Sequence, residues 1–285
     1  MGTTPLLEFS NRDQLRKWLE ENHATATHCW VTAYRSRVPE GVALPYIEIV
    51  EEALCFGWID STNKKLPDGR LAQRISPRRK GSHWTELNKQ RCADLQKRGL
   101  MTDAGRAALP AEIETKRLRF RLWRESDAEA LFKYASDPDV GPRAGWPPHQ
   151  SVEESRTVIR DIFSNGHTWA LELKETGEPI GCMCYYDANE SNIEIGSKDA
   201  ELGYWIAKPY WNQGLCTEAL RAMIDWCFNK KGFQTLWSDF FVDNTASGRV
   251  MEKCGFRDTG ETNMLSHLYR GDERPVKIMR LDYGL

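Results

Sequence analysis

The sequence predicts a mixed α/β fold in two parts, an open sheet with helices on its faces preceded by a smaller α+β part. Three observations carry this. From residue 113 onward, apolar runs of period two alternate with runs spaced by three and four. One such run, Glu201–Ala207, leads through a short polar loop with a single glycine, Gly214, straight into an amphipathic helix. Around Gly105-Arg-Ala-Ala-Leu-Pro-Ala111, small residues and a proline separate two patterned regions. The predicted division is residues 1–106, a linker 107–112, and residues 113–285.

In the first part, a helix follows Ser10 and carries Leu15, Trp18 and Leu19; a strand spans Cys29–Tyr34. A helix runs from Tyr46 to Phe56, followed by the segment 57–60. A third helix opens at Ser82 and bears Trp84, Leu87, Arg91 and Leu95 before Gly99. In the second part, Leu118–Trp123 reads as the first strand. Ser126-Asp-Ala-Glu129 and Ser151-Val-Glu-Glu154 read as capping boxes that open two helices. A turn at residues 174–178 joins strands Thr168–Leu173 and Pro179–Tyr186. After the strand 201–207, Ala219, Leu220, Met223, Ile224, Cys227 and Phe228 form one buried helix face that ends near Gly232. Strand Thr235–Val242 follows, then a short helix with Asn244 as N-cap and Gly255 as stop, and a closing strand Val276–Tyr283.

Composition bounds the function. A hydrophobic content of 40% supports globular cores, and a net charge of −2 gives no global field for nucleic acid or membrane. No apolar run is long enough to span a bilayer, and no secretory leader is read at the start. The eight cysteines include no C-x-x-C pair, and the histidines give no ligand-like pair. The expectation is a cytoplasmic protein with reduced core thiols and no metal.

The chemistry is concentrated at residues 205–219. A loop whose backbone N–H groups point inward, set at a helix N-terminus, is a cradle for a diphosphate. The donors are the main-chain amides of Gln213, Gly214, Leu215, Cys216 and Thr217, so only a glycine and small residues need show in the sequence.

This stretch, Trp211-Asn-Gln-Gly-Leu-Cys-Thr-Glu-Ala219, resembles the phosphate loop of the GNAT family, the Gcn5-related N-acetyltransferases. The resemblance extends over residues 113–285. It includes Ile-Glu-Thr-Lys-Arg-Leu-Arg-Phe-Arg (113–121), Asp-Ala-Glu-Ala-Leu (127–131) and Gly-Trp-Pro-Pro (145–148), which are similar to the RimJ/RimL-like branch that acetylates ribosomal-protein N-termini. Cys216 stands where that branch usually has alanine or glycine, a mild departure. The resemblance implies a GNAT-type mixed central sheet and transfer of an acetyl group from acetyl-CoA to a primary amine, either a protein N-terminus or a small molecule. It implies that Trp205, Ile206 and Ala207 lie along the pantetheine arm and that Asn244 contacts the cofactor. Glu201 matches the proposed base and Ser247 the serine placed as proton donor to the leaving thiolate. An α-amine is largely protonated at pH 7 and must lose a proton before it attacks. Glu201 as a solvated strand-end carboxylate and Ser247 as a first-turn helix residue remain open alternatives. Trp146 and His149 are candidates to line an acceptor groove. The rival reading is a non-catalytic acyl-CoA-binding or sensing module whose basic N-terminal part meets a partner.

In the first part, the segments 52–61, 76–84 and 99–105 resemble the YdeI/OmpD-associated family, which implies little chemistry. Residues 64–106 carry 12 Lys/Arg against 4 Asp/Glu. Arg74, Arg78, Arg79 and Lys80 beside Trp84 form a candidate nucleic-acid contact, against the plainer reading of a solvated face.

Overall fold

The computed structural model describes residues 6–34, 44–67, 70–79, 82–110, 113–267 and 271–284. The chain divides into two compact units, Met1–Pro110 and Ala111–Leu285.

The N-terminal unit runs β1 (Leu6–Leu7), α1 (Arg12–Asn22), β2 (Cys29–Tyr34), β3 (Leu44–Pro45), α2 (Tyr46–Cys55), β4 (Trp58–Lys65), β5 (Leu71–Pro77), α3 (Glu86–Lys97) and α4 (Asp103–Ala108). Its sheet has the order β1-β2-β5-β4, with β3 also paired to β2. Leu15, Leu19, Ile49, Leu54, Trp58 and Leu95 are buried at its centre. Glu52 is buried on α2 and is held by Arg12 and by Arg16 Nη1 at 3.0 Å.

Three expectations need correction here. The third helix begins after Thr85, whose hydroxyl accepts from the Asn88 N–H, and not at Ser82. Trp84 therefore precedes the helix, stacked under the Arg78 guanidinium at 3.6 Å. Residues 57–60 open a full hairpin, β4 and β5, hidden from the sequence because its outer end is polar and exposed. Helix α4, N-capped by Thr102, continues through Ala107 and Ala108, which the sequence placed in the linker.

The C-terminal unit runs β6 (Ile113–Glu114), β7 (Leu118–Leu122), α5 (Ala128–Ala135), α6 (Val152–Asp161), β8 (Thr168–Leu173), β9 (Pro179–Tyr186) and β10 (Asp199–Ile206). It continues with α7 (Leu215–Trp226), β11 (Thr235–Phe241), α8 (Thr245–Lys253), β12 (Arg257–His267) and β13 (Asp272–Asp282). The sheet order is β12-β13-β11-β10-β9-β8-β7-β6. Among the described residues every neighbouring pair is antiparallel except β10 and β11. Those two are joined by α7, as a parallel crossover requires.

One face of the sheet packs on α7 and α8 through Leu202, Leu220, Met223, Leu236 and Met251. The other carries Trp123, Leu131, Ile159, Ala170 and Cys182 under α5 and α6. Ser151 caps α6 as expected, its hydroxyl 3.0 Å from the Glu154 N–H. Ser126, expected as the N-cap of a box with Glu129, lies inside a 3-10 turn and Asp127 holds the N-cap position of α5. Its carboxylate accepts from the Arg124 N–H at 2.9 Å, because the chain enters through that short turn over Glu125–Asp127.

Candidate active site

The site begins where two strands part. β10 and β11 pair only from Asp199/Thr235 to Glu201/Trp237. Beyond that point the buried Ser238 hydroxyl, and not a backbone N–H, donates to Leu202 O at 2.7 Å, and the strands diverge.

The turn after β10 leads into α7. Gly214 is its N-cap at φ 75°, a left-handed conformation that glycine adopts without strain. The first helical bond runs from the Glu218 N–H to Gly214 O at 3.0 Å. The amides of Leu215, Cys216 and Thr217 precede it and are the donors that a helix start leaves for a ligand. Glu218 anchors this start to the strand beside it. It accepts from Thr115 Oγ1 at 2.5 Å, the Arg117 N–H at 2.9 Å and Arg117 Nε at 2.7 Å. Burial works against its ionisation, but these bonds prevail and lower its pKa. Gln213 is exposed and its side chain turned back: its Nε2 donates to Pro209 O at 2.9 Å, and its main-chain carbonyl accepts from Arg117 Nη1 at 3.0 Å.

Neighbouring residues of a strand send their N–H and C=O to opposite sides. The Ala207 N–H bonds Ile180 O on the β9 side at 2.8 Å, so the backbone groups of Trp205 also face β9. Those of Tyr204 and Ile206 face the gap. This corrects two expectations. Ala207 is fully buried with its N–H spent on Ile180 and its carbonyl on the Tyr210 N–H, so it offers nothing to a ligand. Trp205 contributes its ring and not its amide. Ile206 offers its N–H only, since the Trp211 indole donates to its carbonyl at 2.6 Å.

Two adjoining cavities meet at this gap. One, about 490 Å³, lies against the start of α7 and is lined by Ile206, Trp211, Gly214, Cys216 and Thr217. The other, about 580 Å³, lies toward α5 and α6 and is lined by Trp146, His149, Tyr186, Glu201 and Asp239. Tyr204, Trp205, Asn244 and Ser247 border both. Each volume falls within the usual span of small-molecule sites.

On the second side, Glu201 is 5% exposed, and its Oε2 accepts from Ser191 Oγ at 2.7 Å and the Asn192 N–H at 2.9 Å. It is a buried, fixed anion and not the solvated strand-end carboxylate of the plainer alternative. Trp146 stacks edge-on against Trp205, centroids 6.0 Å apart. His149 Nδ1 lies 2.7 Å from Ser155 Oγ, and burial lowers its pKa, so it is neutral at pH 7. Ser247 Oγ lies 3.0 Å from the Tyr204 hydroxyl at the junction of the cavities. Burial holds that phenol far above its ordinary pKa, so it keeps its proton.

Asn244 departs from expectation. It occupies the N-cap of α8, but its side chain makes no cap bond and donates to Arg143 O at 3.0 Å, fastening the loop before Gly145 to β11. Two residues of the cavities were not anticipated. Tyr204 was read only as part of an apolar strand. Asp239 had one available signal, a carboxylate inside the apolar run Leu-Trp-Ser-Asp-Phe-Phe.

In the N-terminal unit, Arg78 is occupied by the Trp84 ring, Ser82 Oγ and His83 O. Arg74 reaches Ser61 and Ser76 on the sheet surface, and Arg79 is exposed. Lys80 lies outside the described residues. Arg78, the member nearest the aromatic ring, thus has a structural partner in place of a phosphate. Among the described residues no group of three His, Cys, Asp or Glu is placed to hold a metal ion, and no helix is long and apolar enough to cross a membrane.

A helix start that leaves donors for a ligand, set where the sheet splits and beside a cavity that holds carboxylates, is an arrangement able to receive an acyl-CoA. Residues 117–257 match the acetyltransferase (GNAT) domain family, and this part of the chain is an acetyl-CoA-dependent N-acetyltransferase domain. Residues 7–108 match a domain of unknown function (DUF8412). The chain is 28% identical over 153 residues to the uncharacterized N-acetyltransferase YoaA of Bacillus subtilis, covering 52% of this chain and 84% of that protein. It is 27% identical over 115 residues to the ribosomal-protein-serine acetyltransferase of Escherichia coli, covering 39% and 62%. A crystal structure of a GNAT-family acetyltransferase from Bacillus anthracis superposes with a TM-score of 0.51 at 21% identity, covering 60% of this chain and 97% of that one, and shows the shared fold.

Proposed function

We propose that the C-terminal unit acetylates a primary amine by direct attack on acetyl-CoA while both are bound. The observation that carries this is the continuity of the two cavities through the gap between β10 and β11, with donors at one end and carboxylates at the other. In this reading the amides of residues 214–217 take the diphosphate, with Gln213 at the edge of the cradle. The pantetheine amides pair with the free backbone groups of Tyr204, strand to strand. Cys216 fits the cradle because its side chain is small. The Ile206 N–H faces the position of the thioester oxygen and is the oxyanion donor. Ser247, backed by the Tyr204 hydroxyl, supplies a proton to the departing thiolate. Asn244 acts on the cofactor side by holding the Arg143 loop. Trp146 and His149 form the apolar wall of the acceptor cavity, and Glu201, matched in sequence to the base, has its Oε2 held by Ser191 and Asn192 and supplies negative charge that suits a cationic amine.

The acceptor is a protein N-terminus or a small-molecule amine. One relative is named for ribosomal-protein serine, which keeps a protein acceptor in view. A reducing, cytoplasmic compartment suits the eight free thiols. For the N-terminal unit the resemblance to the YdeI/OmpD-associated family stands as a proposal with no chemistry attached.

The test is release of free CoA thiol from acetyl-CoA, with peptides of varied N-terminal residue, polyamines and aminoglycosides as acceptors. Turnover above the hydrolysis background with at least one amine class is expected. Saturable CoA binding with no acetylated product across the panel would return the domain to the sensing alternative.

A further inference from the structure

One half-buried acid of the acceptor cavity has no role in that scheme. Asp239 stands on β11 two residues past Trp237, the last residue paired with β10. Side chains two apart on a strand share a face, so Asp239 shares the face of Trp237 and of its register partner Glu201. Gly203, two residues past Glu201 on that face, also lines the cavity. A Cβ there would come within 2.9 Å of Cys184 Sγ, so glycine keeps this space open. Asp239 Oδ2 is buried and has no hydrogen-bond partner among the described residues, whereas Glu201 Oε2 already holds two donors. A buried carboxylate oxygen with no donor is costly, and an ammonium group entering the cavity supplies the missing donor.

We propose that Asp239 is the catalytic residue that takes the proton from the acceptor's ammonium group, with Glu201 as the fixed anion beside it. This assignment rests on the acetyltransferase reading of the same cavity. The acceptor enters as R–NH3⁺. One proton passes to Asp239 Oδ2, and the freed lone pair forms the N–C bond to the thioester carbon while the C=O pair moves onto oxygen. Collapse re-forms C=O and breaks C–S. The second N–H proton neutralises the thiolate, through the Ser247 and Tyr204 hydroxyls, which leaves the amide and free CoA thiol. Asp239 then returns its proton to solvent.

The acid strength agrees with this geometry. Burial first, and then repulsion by Glu201, push the Asp239 carboxyl up to about 7, close to where a general base works best at neutral pH. The other titratable or charged groups lining the cavity are Cys182, Cys184, Tyr186, Tyr204, His149, Glu154 and Arg143. From β13, Asp239 faces Ile278, and Arg280 is turned to Asp282 at 2.7 Å.

The test uses the full chain, one acceptor found in the panel, and kcat/KM measured across neutral pH. The base is the ionised form, so the wild-type rate rises as pH passes about 7. Asp239→Asn is expected to lower kcat by about 100-fold or more with CoA affinity unchanged, the calorimetric check that it is folded. Glu201→Gln removes the repulsion, so the rising limb moves to lower pH with the same acceptor. An Asp239→Asn enzyme with wild-type kcat and an unaltered profile overturns the assignment. So does a Glu201→Gln limb that stays in place, which decides the matter if the Asn variant does not fold. A wild type that acetylates no amine overturns the acetyltransferase reading along with it; loss confined to the variants leaves that reading standing.

Discussion

Gly214→Asp is expected to weaken coenzyme A binding by about 100-fold or more, a loss of about 3 kcal/mol, while the domain stays folded. Gly214 sits at φ 75°, and aspartate is among the side chains that best tolerate that region. A Cβ there would meet only an Arg117 guanidinium nitrogen, at 3.7 Å, so there is room for it. The new carboxylate acts against the ligand in two ways. At an N-cap it accepts from the amides two or three residues on, which are the donors the diphosphate needs. It also places a negative charge in a site that depends on the positive end of α7. Gly214→Asn, which caps without charge, should lose less, and the difference between the two variants isolates the electrostatic part. Calorimetric titration with CoA measures both. Equal, wild-type affinities would remove the turn from the binding site.

The second large effect is on stability. Arg121 on β7 is buried between Asp127 and Glu172, both also buried, with Nη1 and Nη2 at 2.7 Å and 2.9 Å from the Asp127 carboxylate. It joins the start of α5 to β8, the frame on which the acceptor cavity is built. Arg121→Met should destabilise the C-terminal unit by about 3–5 kcal/mol, because it leaves two buried carboxylates without their cation. Arg119 still reaches Glu172 at 2.8 Å, and the Arg124 N–H still reaches Asp127, which favours the lower half of that range. Adding Asp127→Asn and Glu172→Gln should restore most of the loss, since it is the stranded charge that costs. Denaturant unfolding measures this, read as the transition of the C-terminal unit alone because a two-unit chain need not unfold in one step. A single variant that unfolds at the wild-type midpoint would show that the cluster is no keystone.

The loop and helix at Gly214 were legible in the sequence because their logic is local. A glycine at a left-handed helix start, followed by Leu215, Ala219, Leu220 and Met223 on one buried face, states the loop and the helix together. What failed depends on partners that local spacing does not show. Asn244 has the right chemistry for a cap, yet Arg143 O, 101 residues away, takes its side chain. Ser126 has the right spacing for a box, yet Asp127 holds the N-cap position while also gripping Arg121. Ala207 continues the alternation of its strand but falls on the β9 side of it, which only the register with Ile180 decides. Asp239 was overlooked for a related reason. A carboxylate in an apolar strand becomes a site only when the neighbouring strand parts from it and a glycine at 203 keeps the cavity open. Glu201 was singled out because it stands near the head of β10, but its bond to Ser191 comes from the loop before it. In the N-terminal unit, the polar hairpin β4–β5 had no apolar alternation along its outer end for the sequence to show.

Hydrogen–deuterium exchange over the peptide 207–220, with and without saturating CoA, tests the central claim most directly. The amides of residues 214–217 should exchange more slowly in the complex, with the strongest protection at the start of α7. Saturable CoA binding that leaves those amides exchanging at the free rate would contradict the account.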